Sequence, residues 1–247
     1  MIAEIESKAG SFKVDLNEGI DISIPLVAQE GSLSAWYVDP IEIEAVRASG
    51  FVGSVREGGS VNFRNISFNP HGHGTHTECI GHICDEVHSV NQNIKSYFCD
   101  AQLVSIEPEL IDVDAVITKA QLQAKFSGDT KALVIRSLPN GDDKLQKSYS
   151  GTNPPYLEAS LLKWLCEIDL KHLLLDLPSV DREVDAGALA GHKAFWNYHG
   201  KQRMDASITE MVFVPSAIED GLYFLSLQFP PFENDASPSR PLLFKPI

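Results

Sequence analysis

Residues 69–82 carry the densest chemistry in the sequence and read NPHGHGTHTECIGH. Four of the eight histidines of the chain fall here within twelve residues, with a glutamate among them. Imidazole nitrogen and carboxylate oxygen are ligands that proteins offer to Zn²⁺ or Mn²⁺. The glycines let the backbone turn tightly, so that His71 and His76 can converge on one point. His76 and Glu78 are two residues apart and share one face of an extended segment. The segment therefore predicts a metal site.

A second metal site can be drawn from the same region. Cys79, His82, Cys84 and His88 would together offer four ligands to a structural zinc ion. Their spacing, Cys-x2-His-x-Cys-x3-His, does not match the usual paired spacings closely. Buried free thiols are the commoner fate of such cysteines. We favour the histidine and glutamate site and keep the cysteine site as the alternative.

Composition narrows the class of protein. The 247 residues are 43% hydrophobic, which supports a full core, and 34 acidic against 20 basic residues give a formal charge of −14. A nucleic-acid binder normally needs a basic face, so we expect no nucleic-acid partner. No apolar run approaches the ~20 residues of a membrane helix, and the N-terminus shows no secretory signal. Four cysteines are too sparse for a disulfide scaffold. We expect a cytoplasmic protein with reduced thiols and a small-molecule substrate, and no membrane partner.

The order of local patterns indicates an α/β chain. Short apolar and β-branched segments such as 12–16 and 61–68 make the first part β-rich. Beyond residue 100 the patterns alternate: residues 112–123 predict a helix that begins at an aspartate, and residues 157–168 give the clearest amphipathic helix. Internal repeats and low-complexity linkers are not evident. Residues 1–247 are therefore expected to form one α/β domain with a β-rich N-terminal half.

The motif resembles the signature of a known family. Residues 74–82 are similar to His-x-Gly-Thr-His-x-Asp-x-Pro-x-His of the cyclase-like metal hydrolases, which include bacterial kynurenine formamidases and isatin hydrolases. Four further landmarks lie along the chain in family order. One precedes the motif, at residues 21–26, and three follow it: residues 176–181 with His192 after them, residues 208–210, and residues 237–241. They resemble Asp-Leu-Ser-x-Pro-Leu, Asp-x-x-Ser-x-Asp, Ile-x-Glu and Ser-Pro-x-Arg. The resemblance implies a swivelling β/β/α cyclase-like fold and a homodimer.

The resemblance also implies roles for particular residues. One or two divalent ions, Zn²⁺ or Mn²⁺, would be held by His71, His76, Glu78, His192 and Glu210, with Glu78 bridging two ions. A bound metal lowers the pKa of its water toward neutrality, and the resulting hydroxide can attack an amide or lactam carbonyl. The last motif histidine of the family, here His82, is the general acid/base, a task suited to an imidazole that titrates near ~6.5. Trp36 is expected to contact the substrate.

The chain departs from the family pattern around the site. Glu78 and Ile80 stand where the family has Asp and Pro, and Gly72 stands where it has its first histidine. Either His71 or His73 takes that place through a one-residue shift, and the Pro-His pair favours His71. We expect an arylformamidase-like amidohydrolase acting on N-formylkynurenine or a related aryl amide. The alternatives are an isatin- or lactam-type hydrolase and a non-catalytic metal-binding member of the family.

Overall fold

The computed structural model describes residues 1–8 and 10–247. Within these residues the strands, in chain order, are β1 (Ile2–Ser7), β2 (Gly10–Asp15), β3 (Ile20–Asp21), β4 (Glu42–Ala45), β5 (Arg47–Ala48), β6 (Phe51–Val52), β7 (Arg64–Ser67), β8 (His76–Glu78), β9 (Phe98–Ile106), β10 (Glu109–Ile111), β11 (Asp114–Ile117), β12 (Ala132–Ser137), β13 (Tyr156–Leu157), β14 (His172–Leu175), β15 (Ser207–Glu210), β16 (Gly221–Gln228), β17 (Ala236–Pro238) and β18 (Arg240–Phe244). The α-helices are α1 (Val90–Asn93), α2 (Lys119–Gln123), α3 (Ala159–Glu167) and α4 (Ala190–Phe195), and 3-10 turns cover Val55–Glu57, Ile80–Ile83 and Asp142–Gln146.

A nine-stranded sheet organises the described residues, with the strand order β17-β8-β15-β14-β12-β9-β16-β18-β3. Its centre, β9, β12, β14 and β15, is parallel. On one side β8 and β17 continue the sheet antiparallel, and on the other side β16, β18 and β3 do so. Parallel strands covered on both faces consist of continuous apolar runs. Residues 132–135 of β12 and 173–175 of β14 fit this rule, and every residue of both strands is buried.

The two faces of this sheet pack against separate cores. On one face, Leu133 of β12 joins a core that includes Leu161 and its neighbours on the amphipathic helix α3. On the other face, Val134 packs in one core with Leu225 of β16 and Leu243 of β18. Since these strands all belong to the same sheet, the shared core shows that the sheet curls over its own inner face. The side chains of a strand alternate between its faces, so one apolar run serves both cores.

The α/β architecture expected from the sequence is confirmed, with one element corrected. The amphipathic helix is present as α3, but the helix expected over residues 112–123 is wrong in its first half. Residues 114–117 form β11, which pairs with β10 and β13. The helix α2 begins only after Thr118, whose hydroxyl accepts the backbone N–H of Gln121 while the Gln121 side chain accepts the backbone N–H of Thr118. This reciprocal capping box satisfies two free backbone donors and so fixes where the helix begins.

The first third of the chain forms short strands and ribbons. Strand β4 pairs with β7, and β5 pairs with β6, each as a two-stranded ribbon outside the main sheet. The strand expected over residues 61–68 is shortened to β7. The helices of residues 1–8 and 10–247 are all too short or too polar to cross a lipid bilayer.

Candidate metal centre

Strand β8 carries part of the motif into the sheet between two strands from the C-terminal part of the chain. It runs antiparallel to β15 on one side and to β17 on the other. His76 and Glu78 are fully buried, and because they are two residues apart they point to the same face. The register places Glu210 of β15 directly opposite His76, with its Oε2 at 3.5 Å from Nε2 of His76. Sheet pairing thus brings the late carboxylate to the motif.

A tight turn before β8 presents His71 to the same face. The side chain of Asn69 accepts the backbone N–H of His71 at 2.9 Å and that of Gly72 at 3.1 Å. A Cβ at Gly72 would lie 2.6 Å from the side chain of Val38, so no side chain fits at that position. His73 is used within the turn, where its Nδ1 accepts the backbone N–H of Asn69 at 3.0 Å. The turn therefore offers His71, and not residues 72 or 73, to the site.

Glu78 lies at the centre of the cluster of imidazoles. Its Oε2 is 3.2 Å from Nδ1 of His71 and 3.9 Å from Nδ1 of His82. Its Oε1 is 3.2 Å from Nε2 of His192. The ring of His71 also lies 5.2 Å from the ring of His76, centroid to centroid. The structure thus gathers every residue that the sequence proposed as a ligand, with His82 beside them.

The loop from Asp176 to Asp181 positions His192. Oδ2 of Asp181 lies 2.6 Å from Nδ1 of His192, and the same carboxylate accepts the backbone N–H groups of Gly191 and His192 at the start of α4. A buried ion pair of 2.7 Å between Lys144 and Asp176 fixes the beginning of this loop. As a result, His192 turns its Nε2 toward Glu78.

Asp235 is the site residue that the sequence reasoning missed. It immediately precedes β17, and its Oδ2 lies 2.7 Å from Nε2 of His71 and 3.4 Å from Nδ1 of His82. The one signal available in the sequence is its position two residues before the closing landmark at residues 237–241. Asp181 belongs to the landmark at residues 176–181, which by itself assigns it no role.

Opposite charges balance one another within the cluster. Burial alone would lower the pKa of His192, but Asp181 and Glu78 outweigh it and raise that pKa to about 10. Burial also opposes the charge on His71, and there Asp235 and Glu78 raise the pKa to about 10. Burial would raise the pKa of Glu78, yet the neighbouring imidazoles hold it well below its ordinary value. The site therefore favours positive charge around a buried anion.

The cluster fits a divalent cation. Among the described residues, Nε2 of His76 and both carboxylate oxygens of Glu78 are buried without a hydrogen-bond partner. An unsatisfied buried polar atom costs about 1–3 kcal/mol, and coordination to a cation would remove that cost. Burial, together with the charge of Glu78, raises the pKa of Glu210. Three groups have ligand atoms within 4.8 Å of one another: His71 with His76 and Glu78, His71 with His82 and Asp235, and Glu78 with His82 and His192.

The structure does not support the alternative cysteine site. In the part of the chain that the structure describes, the three candidate groups contain no cysteine. Sγ of Cys79 is buried and donates to the backbone carbonyl of His88 at 3.4 Å. It packs with Val90 and Ile94 as a small apolar side chain.

A cavity of about 390 Å³ opens over the cluster. Its volume lies in the range of about 300–1,000 Å³ that small-molecule sites occupy. Trp36 and Arg182 line it together with His82, whose side chain is 31% exposed. A larger cavity of about 820 Å³ lies at the other end of the parallel strands, beside Lys131 and His172, and contains no residue of the cluster. We place the functional site at the smaller cavity, because it alone contains the convergent ligand atoms.

Known proteins share this architecture. The model of the Cyclase family matches residues 20–182, while no curated protein matches the chain in sequence. Isatin hydrolase A from Labrenzia aggregata, bound to benzyl benzoate, superposes with a TM-score of 0.66 at 14% identity, over 92% of this chain and 93% of that chain. An isatin hydrolase bound to the product analogue thioisatinate gives 0.64 at 13% identity, over 93% of each chain. A protein described as a predicted metal-dependent hydrolase from Bacillus stearothermophilus gives 0.61 at 15% identity, over 92% of this chain and 98% of that chain.

The two kinds of match carry different information. At identities of 13–15% the solved structures establish the shared fold alone. The family model covers about two thirds of the chain, including the motif at residues 69–82 and the loop at residues 176–181. The resemblance drawn from the sequence motif is thereby confirmed, and the chain belongs to the Cyclase family.

Proposed function

We propose that this protein is a metal-dependent hydrolase that cleaves the C–N bond of a small amide. The observation that carries the proposal is the convergence of ligand atoms on the fully buried carboxylate of Glu78. Imidazole nitrogens of His71 and His192 lie 3.2 Å from its two oxygens, and Nε2 of His76 is buried without a hydrogen-bond partner in the described residues. A protein interior tolerates such a group only when it is paired or holds a cation. The adjoining cavity gives a small substrate access to that position.

The proposed ligands to one or two Zn²⁺ or Mn²⁺ ions are His71, His76, Glu78, His192 and Glu210. Three neutral nitrogens and two carboxylates suit a borderline divalent metal and leave room for water and substrate. When bound there, such an ion polarises the substrate carbonyl and lowers the pKa of a coordinated water. The two oxygens of Glu78 face different histidines, so this carboxylate would serve both ions if two were held.

His82 is proposed as the general acid/base. An amide nitrogen needs a proton to leave, and His82 lines the cavity with a partly exposed ring. Its Nδ1 faces Asp235 and Glu78, so Nε2 is the atom left to meet the substrate. Trp36, in the wall of the same cavity, is proposed to pack against an aryl ring of the substrate.

The proposed substrates are N-formyl aryl amides such as N-formylkynurenine, as for the arylformamidases of the family. Isatin- or lactam-type hydrolysis is the second candidate, favoured by the likeness in fold to two isatin hydrolases. Both reactions use the same attack on a carbonyl carbon, and they differ in whether the amide is open or cyclic.

One panel of assays tests the proposal. Protein loaded with Zn²⁺ or Mn²⁺ is incubated with N-formylkynurenine, formanilide, isatin and small lactams, with chelator-treated protein and His82→Ala as controls. We expect turnover of one class of amide that requires both the metal and His82. Tight metal binding without turnover of any of these amides would overturn the proposal in favour of the non-catalytic alternative.

We also propose that the protein acts as a homodimer in the cytoplasm. Ile43 and Ile66 face each other across the β4–β7 ribbon and are 39% and 60% exposed. An exposed apolar patch of this kind supports association. The four unpaired cysteines suit a reducing compartment. Light scattering should give the dimer mass for the wild type and the monomer mass for Ile66→Glu, and a monomeric wild type would overturn the dimer.

A further inference from the structure

Asp235 occupies a fixed position on the far side of the cluster from Asp181. Its backbone carbonyl accepts the N–H of Cys79 at 3.0 Å, and the strand that follows it pairs Ala236 with Glu78. The residue is therefore tied to both the motif strand and the 3-10 turn after it. Its side chain is 26% exposed and reaches over the strand to the turn that carries His71.

The ring of His71 lies between two carboxylates. Its Nε2 is 2.7 Å from Oδ2 of Asp235, and its Nδ1 is 3.2 Å from Oε2 of Glu78. His192 shows the same arrangement with its nitrogens exchanged: Nδ1 is 2.6 Å from Asp181, and Nε2 is 3.2 Å from Glu78. In both rings one nitrogen contacts an outer carboxylate and the other points at the buried one.

We infer that Asp235 is a positioning residue that accepts the Nε2–H of His71 and thereby keeps Nδ1 of that ring directed at the metal centre. The inference rests on the proposed function, since it assigns a ligand atom to a metal site. A carboxylate that accepts the second N–H of a histidine ligand fixes both its tautomer and its ring orientation. His71 needs such a partner, because it lies on a turn and its side chain is 20% exposed.

The same carboxylate also connects the ligand to the general acid/base. Oδ2 of Asp235 lies 3.4 Å from Nδ1 of His82, and the rings of His71 and His82 are tilted by 32° with their centroids 4.3 Å apart. A side chain that holds His71 in place therefore also limits how far the ring of His82 can move. Loss of Asp235 should lower the metal affinity and, as a consequence, the turnover.

The competing role for Asp235 is that of a direct metal ligand. Asp235, His71 and His82 place ligand atoms within 4.8 Å of one another, which is close enough for one ion. The 2.7 Å contact between Asp235 and Nε2 of His71 is the length of a charge-assisted hydrogen bond, which favours the positioning role. The two roles differ in how many ions the protein holds when it is saturated.

The test compares Asp235→Ala, Asp235→Asn and the wild type, with Glu233→Gln as a matched loss of charge from the same loop. Glu233 accepts hydrogen bonds from Ser89 and Gln92 and does not contact the cluster. Zn²⁺ affinity is measured by competition with a chromophoric chelator, and bound zinc at saturation by elemental analysis. Circular dichroism of each metal-free variant verifies folding.

We expect Asp235→Ala to lower Zn²⁺ affinity by about 10- to 100-fold with unchanged stoichiometry. Asp235→Asn should recover part of the loss, because its amide oxygen can still accept the Nε2–H, and Glu233→Gln should match the wild type. If Asp235→Ala does not fold, the test uses Asp235→Asn. The ¹⁵N NMR shifts of the imidazole nitrogens, compared with those of the wild type, then show whether the tautomer of His71 has changed.

Each contrary outcome has a distinct meaning. Wild-type affinity in Asp235→Ala would overturn the positioning role while leaving the proposed function intact. Loss of one zinc ion per chain at saturation would make Asp235 a ligand and overturn the inference in another way. A wild type that binds no Zn²⁺ at all would overturn the proposed function and, with it, the inference.

Discussion

Addition of Zn²⁺ or Mn²⁺ to chelator-treated protein should raise the melting temperature, and the gain should depend on Glu78. Nε2 of His76 and the two carboxylate oxygens of Glu78 are buried without hydrogen-bond partners in the described residues. With free metal at about 100 times Kd, binding adds about 2.7 kcal/mol to the free energy of unfolding. For a chain of this size that corresponds to a shift of about 5–11 °C.

The assay is differential scanning calorimetry across a series of metal concentrations. Glu78→Gln should lose most of the gain, because a neutral amide cannot replace a carboxylate that faces several imidazoles. Glu233→Gln, which removes a charge remote from the cluster, should keep the gain of the wild type. An unchanged melting temperature in excess metal would refute the reasoning, and so would an equal gain in Glu78→Gln.

Three further changes test other parts of the site and fold. His71→Ala should weaken metal binding far more than His73→Ala in a chelator competition, and equal losses would assign the first ligand differently. His82→Ala should keep its metal, as measured by elemental analysis, but its amide turnover should fall by about 10²–10⁴-fold. Turnover of an activated aryl ester should fall less, because its leaving group needs no proton. A metal-depleted variant would make His82 a ligand. Burial lowers the pKa of His172 to about 4 in the folded protein, whereas the pKa of an unfolded histidine is near ~6.5. The contribution of this shift to the free energy of unfolding is full above pH ~6.5 and is lost as the pH falls toward 4, by up to about 3 kcal/mol. Urea midpoints for the wild type and His172→Gln from pH 7.5 to 4.5 check this, and equal pH slopes would contradict it.

The convergence of the proposed ligands in the motif could be predicted because their spacing has direct geometric meaning. His76 and Glu78 are two residues apart on a strand, so they share a face without reference to the rest of the fold. The choice between His71 and His73 needed more than spacing. It depends on the fold of the turn, in which Nδ1 of His73 accepts the backbone N–H of Asn69 while His71 faces Glu78.

Strand pairing explains what the sequence could not show. The contact between Asp235 and His71 joins residues 164 positions apart and exists only because β17 pairs with β8. An isolated aspartate before a Ser-Pro pair is ordinary in a loop, so nothing in its own neighbourhood indicates a site. The helix prediction was wrong at residues 114–117 for a similar reason, since the pairing of these residues with β10 and β13 outweighs a weak local helix signal.

The need for a cation follows from how the site is assembled. The buried carboxylate of Glu78 faces three imidazoles: His71 from the turn before β8, His82 from the 3-10 turn after it, and His192 from α4. His71 and His192 each contact an aspartate through their other ring nitrogen. Without a metal, protons on these imidazoles supply the positive charge, as the raised pKa values of His71 and His192 show. In that state the two oxygens of Glu78 have only the 3.2 Å ion-pair contacts with His71 and His192, and Nε2 of His76 has no hydrogen-bond partner in the described residues. A divalent ion supplies the same charge and also gives each of these atoms a bond, which is why the arrangement suits a metal better than a set of hydrogen bonds.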